Sequence, residues 1–93
     1  MDKKKLKIAR NRIDQLDKSI FNLIKKRTKI VKYMLSLKQF KNQIVDRKRI
    51  KSILKKIKYK SIKNGIDPKI TSRIWKSMIW SYVDFQKKNF KKK

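Results

Sequence analysis

Apolar residues return at alternating intervals of three and four through the first part of the chain, at Ile13, Leu16, Ile20, Leu23, Ile30, Met34 and Leu37. That spacing is the seam of a long helix of coiled-coil type, with polar residues on its other faces. A second stretch repeats it with Ile50, Ile53, Leu54, Ile57 and Ile62, and a third with Ile70, Ile74, Met78, Tyr82 and Phe85. No alternating strand pattern competes, so the chain reads as all-α.

The breaks between these stretches are marked by chemistry. Asn64-Gly65-Ile66-Asp67-Pro68 holds the single Gly and the single Pro. Gly supplies a left-handed residue that ends one helix, and Asp-Pro supplies the cap and first turn of the next. A weaker break lies between Gln39 and Val45, where helical periodicity lapses and Asp46 can cap a second helix. Three helices result, from about Leu6 to Lys38, Asp46 to Asn64 and Pro68 to Lys88. Residues 6–90 form one helical domain, with 1–5 and 91–93 as basic, frayed tails. A first helix of about 33 residues is ~50 Å long, more than the two shorter helices can cover, and the uncovered seam calls for a second chain.

Composition changes the picture only in part. The 93 residues carry 31 Lys+Arg against 6 Asp+Glu, a formal net charge of +25. Such a charge is the footprint of a nucleic-acid binder or a membrane-surface helix, or of a drift toward Lys and Ile. Lys outnumbers Arg by 25 to 6 and the acids are all Asp, which fits drift. The aromatic residues gather in the third helix rather than alternating with a basic stripe, and this points away from nucleic acid as the partner. With no Cys and no His, the sequence offers no thiol nucleophile, imidazole base or zinc site. No apolar run approaches the ~20 residues of a membrane span, so the reading is a cytoplasmic protein without membrane association.

Some cations lie where drift does not place them. The steps Leu6, Arg10, Ile13 and Leu23, Arg27, Ile30 put Arg10 and Arg27 on the apolar seam. An Arg there needs a partner: Asp14 or Asp17, a snorkelling route to water, or a bound carboxylate. Lys38 follows Arg27 by eleven residues, about three turns on the same side, and can share a small anion with it. Arg10 is ~25 Å from Arg27 along the helix, too far for one pocket in one chain. A swapped or antiparallel dimer removes that difficulty and covers the seam as well. Asp46 and Arg49 open the second helix, as cap and surface residue or as parts of the same site. Tyr82 and Gln86 share a face of the third helix, where Gln86 is either a solvated amide or a ligand group; Trp75, Trp80 and Phe85 suit packing.

Taken together, Ile8-Ala9-Arg10-Asn11-Arg12-Ile13-Asp14-Gln15-Leu16-Asp17, Arg27, Lys38, Ile44-Val45-Asp46-Arg47-Lys48-Arg49, Asn64-Gly65-Ile66-Asp67-Pro68 and Gln86 resemble the all-helical chorismate mutase family. The resemblance spans about residues 6–90. It implies an intertwined three-helix homodimer with two sites, each built from both chains, and no cofactor or metal. It implies that Arg10 of one subunit, with Arg27 and Arg49 of the other, holds the two carboxylates of chorismate. Lys38 and Gln86 would hydrogen-bond the ether oxygen whose bond breaks, and Asp46 would order the substrate loop.

Two positions depart from the pattern: Ile50 stands where most such mutases carry Glu, and Tyr82 where they often carry Ser. Both, with Met78-Ile79-Trp80-Ser81-Tyr82-Val83-Asp84-Phe85-Gln86, resemble the isochorismate pyruvate lyases, relatives on the same fold that release pyruvate and leave salicylate. Asp46 points back to the mutases. The expected activity is conversion of chorismate to prephenate in aromatic amino-acid biosynthesis. The alternatives are the lyase reaction and, further off, a basic helical nucleic-acid-binding protein.

Overall fold

The computed structural model describes residues 2–92. Three helices account for most of them: α1 (Lys3–Leu37), α2 (Arg47–Lys63) and α3 (Pro68–Asn89), with a short 3-10 turn at Lys41–Gln43. The described residues contain no strand, as the apolar periodicity requires. The chain forms two compact units, Met1–Tyr33 and Met34–Lys93, the division falling within α1.

The helix starts share one rule. Asp2 Oδ1 accepts from the backbone N–H groups of Lys4 and Lys5 at 3.0 and 3.1 Å. Asp46 Oδ1 accepts from Arg49 N–H at 3.0 Å, and Asp67 Oδ1 from Lys69 N–H at 2.9 Å. Each carboxylate satisfies a donor that has no partner inside its helix and meets the positive end of the helix dipole. With Asp2 as its cap, α1 takes in Lys3 to Lys5 as a first turn, and these residues are not a frayed tail. At the other end, Lys91 and Lys92 come after α3 outside any helix, while Met1 and Lys93, the outer residues of the two expected tails, lie outside the described residues.

Between α2 and α3 the chain reverses at Gly65, whose φ of +70° is the one positive value among the described residues. Gly65 N–H donates to Ile62 O at 3.3 Å, and Ile66 N–H reaches back to Ser61 O at 2.9 Å. This paired closure ends a helix in the left-handed region, which Gly enters without a Cβ penalty. α2 and α3 then pack on each other. Their joint is pinned by Ser61, 3% exposed, whose hydroxyl lies 2.6 Å from both Ile57 O and Thr71 Oγ1.

Few large apolar side chains are buried: Ile44, Ile79 and Val83 in the C-terminal unit, and Val31 in the N-terminal one. The seam of α1 is open in the single chain. Ile13, Leu16, Ile20, Leu23, Ile30 and Leu37 are each more than half exposed. A contiguous apolar stripe of that extent is far more than a monomer ordinarily shows to water.

Candidate functional site

The C-terminal unit brings two of the expected site residues together directly. Lys38 comes just after the end of α1, and its Nζ donates to Gln86 Oε1 of α3 at 2.7 Å. Gln86 is 8% exposed, so the reading of it as a solvated surface amide is corrected. Because an ammonium can only donate, the carbonyl end of the amide must face Lys38. The Gln86 Nε2 then points to Tyr82 O, at 3.3 Å, one turn back on the same helix.

Lys38 is held by the chain on both sides. The turn after it is closed by Gln43, whose Oε1 accepts from the N–H groups of Gln39 and Phe40 at 2.8 and 2.9 Å. Sequence spacing gave Gln43 no role; the only signal was a Gln three residues after Phe40, where a side chain can reach back to cap a turn. Ile44, 5% exposed, anchors the same connection in the core.

Burial draws the Lys38 pKa below the ordinary lysine value of 10.5, and the Asp46 carboxylate opposes this by attraction. Desolvation disfavours the ammonium and a nearby anion favours it, and here burial is the larger effect. Asp46 therefore does two things. It caps α2, which is the ordinary reading of its position, and it stabilises charge on Lys38.

Arg49 is exposed on the first turn of α2, and Ile50 beside it is half-buried. Tyr82 is half-buried on α3, one turn before Gln86. Arg10 and Arg27 belong to the N-terminal unit. Arg10 is exposed and Arg27 half-buried, along the same helix that leaves its apolar seam open. Their 17-residue separation, ~25 Å along α1, keeps them from meeting at one small anion within a single chain. Trp75 and Phe85 are half-buried and Trp80 is 39% exposed.

A family model described as chorismate mutase type II matches residues 9–87. The chain belongs to that family. No curated protein and no solved structure matches it significantly. The match runs from the turn that carries Arg10 to just past Gln86, so every expected site residue falls inside it. Membership in the chorismate mutase type II family supports a chorismate-mutase-type enzyme, agrees with the all-α architecture and implies a chorismate-like substrate. No described helix is long and apolar enough to cross a membrane.

Proposed function

We propose that this protein is a chorismate mutase that rearranges chorismate to prephenate at sites shared between two copies of the chain. The observation that carries the reading is the Lys38–Gln86 pair: a partly buried ammonium and a buried amide held 2.7 Å apart. A Claisen rearrangement breaks an ether bond and makes a carbon–carbon bond in one pericyclic step. It needs neither nucleophile nor proton transfer, so a chain without Cys, His or Glu lacks nothing it requires.

Each residue then has a defined role. The substrate is a dianion; Arg27 and Arg49 of one subunit and Arg10 of the other clamp its two carboxylates and select the folded, reactive conformer. Lys38 has three donors, of which Gln86 takes one, leaving the ammonium able to meet the ether oxygen as negative charge grows there. Gln86 Nε2 carries two hydrogens; the bond to Tyr82 O uses one, and the second serves the same oxygen. Asp46 helps keep Lys38 charged against burial and orders the start of α2. Ile50 and Tyr82 line the substrate. The open seam of α1 supports the dimer, because joining two such seams removes the stripe from water.

The second reading, isochorismate pyruvate lyase, is favoured by Ile50 and Tyr82, an apolar and an aromatic residue where the mutase pattern has a carboxylate and a small hydroxyl. Incubation of the purified protein with chorismate and isochorismate in parallel separates the two. Prephenate as the faster product supports the mutase; salicylate and pyruvate formed at a much higher rate supports the lyase.

A further inference from the structure

The basic residues are not spread evenly. The 17 residues of α2 hold nine Lys and Arg and no acid, whereas the 22 residues of α3 hold five and one Asp. All nine cations of α2 are exposed. Uniform drift toward Lys does not account for that contrast between neighbouring helices.

The exposed face of α2 also carries an aromatic ring, which qualifies the expectation that no aromatic lies within a basic stripe. Lys48, Lys55, Tyr59 and Lys63 succeed one another at steps of seven, four and four, a single line along the helix. The line runs over 15 residue steps, about 22 Å. Tyr59 is 68% exposed, and Lys63 Nζ stands 6.0 Å from the centre of its ring. The ring borders an open groove of about 740 Å³ that Ile53 and Ile57 line together with Lys56, Lys60, Lys63 and Asn64.

We propose that this face of α2 binds single-stranded nucleic acid, with a base stacked on Tyr59 and successive phosphates on Lys48, Lys55 and Lys63. Backbone neutralisation by cations and stacking on an aromatic ring are the two contributions that hold single strands without reading sequence. An anionic membrane fits less well. A helix lying in a lipid interface turns a broad apolar face outward, whereas Ile50, Ile53, Leu54 and Ile57 of α2 are half-buried, and the outer face carries nine Lys and Arg with only Tyr59 and Ile62 as exposed large apolar side chains. None of the three lysines nor Tyr59 belongs to the proposed catalytic site, so the inference stands apart from the enzymatic reading.

Fluorescence anisotropy with a labelled 20-nucleotide oligouridine, titrated from low to moderate KCl, tests it on the full chain. Tyr59→Leu should weaken binding roughly tenfold, from loss of one stacked base, with the salt slope unchanged. Tyr59→Phe, which keeps the ring, should bind as the parent does. Replacing Lys48, Lys55 and Lys63 by Gln should lower the slope of log K against log[salt] by about 2, at ~0.7 per phosphate contact. A control carrying Lys18→Gln, Lys25→Gln and Lys29→Gln on α1 removes the same charge and should lose clearly less. The proposal is overturned if Tyr59→Leu binds like the parent, or if the α1 control loses as much as the α2 variant. It is overturned equally if binding to phosphatidylserine vesicles depends on Tyr59 more strongly than RNA binding does. Circular dichroism of each variant establishes that it is folded, and the binding readout requires no enzymatic turnover.

Discussion

Lys38 Nζ and Gln86 Oε1 are 48 residues apart in sequence and 2.7 Å apart in space. The contact joins the end of α1 to the last turns of α3, and it uses the carbonyl end of a buried amide whose other end is fixed by Tyr82 O. Each residue therefore depends on the other for its orientation. Lys38→Ala and Gln86→Ala should each lower kcat by about 10²-fold or more, the scale of losing one preorganised donor at a developing oxyanion. The double variant should lose less than the product of the two, since the residues act as a unit. Steady-state kinetics on the three proteins checks this; strict multiplicativity would show that the residues work independently.

Activity should fall on the alkaline side at a pH below the ordinary lysine value of 10.5, because burial lowers the pKa of Lys38 and the proposed mechanism uses its ammonium. Asp46 raises that pKa, so Asp46→Asn should move the alkaline limb to still lower pH. Lys38→Arg, if active, should abolish the limb, since guanidinium keeps its proton. For stability the sign is opposite. The unfolded chain holds the Lys38 proton up to a higher pH than the folded one, so this group's contribution improves as pH rises from the lowered pKa toward 10.5. Rate profiles and denaturant unfolding between about pH 7 and the ordinary lysine value report the two effects separately.

The proposal that each site is shared between two chains makes a geometric prediction. Arg10→Ala and Arg27→Ala homodimers should both be inactive, losing a carboxylate clamp at every site. Mixing them through unfolding and refolding makes heterodimers in which one site lacks both arginines and the other has both. Random pairing then restores about a quarter of the parent activity. A mixture that stays inactive would place Arg10 and Arg27 in sites that are not exchanged between chains.

The α2–α3 turn offers a test of the fold alone. Gly65→Ala meets no atom within 4 Å of the added Cβ, so its cost is confined to holding a left-handed residue, about 1–2 kcal/mol. Gly65→Asn should cost less, as Asn enters that region more readily. Ser61→Ala removes a buried hydroxyl that makes two contacts of 2.6 Å, for a loss of about 1–3 kcal/mol. At ~4–8 °C per kcal/mol for a chain of this size, thermal unfolding resolves all three.

Much of the fold was legible because helix boundaries here rest on short-range chemistry. Asp46, Asp67 and Gly65 act within three residues of themselves, so both ends of α2 and the start of α3 could be read from sequence to within a residue or so. Asp2 obeys the same rule, yet the lysines after it disguised the first turn of α1 as a tail. The site was legible unevenly. Heptad steps singled out Arg10, Arg27 and Lys38 as candidates, but spacing along one helix cannot tell that Gln86 is buried, since the residues that cover it arrive from elsewhere in the chain. Tyr59 was obscured for a related reason. Its meaning lies in which lysines share its face, and a count of aromatics per helix averages that face away.

The placement of the acids bears on how far this chain can change. Asp2, Asp46 and Asp67 hold the starts of α1, α2 and α3 through hydrogen bonds to backbone N–H groups, so half of the six acids are committed to syntax rather than to charge balance. A chain accumulating lysine can exchange outer-face positions at little cost, but at these three positions the same exchange would remove a helix cap. Each such loss would cost about 1 kcal/mol, a large share of the stability that a chain this small holds.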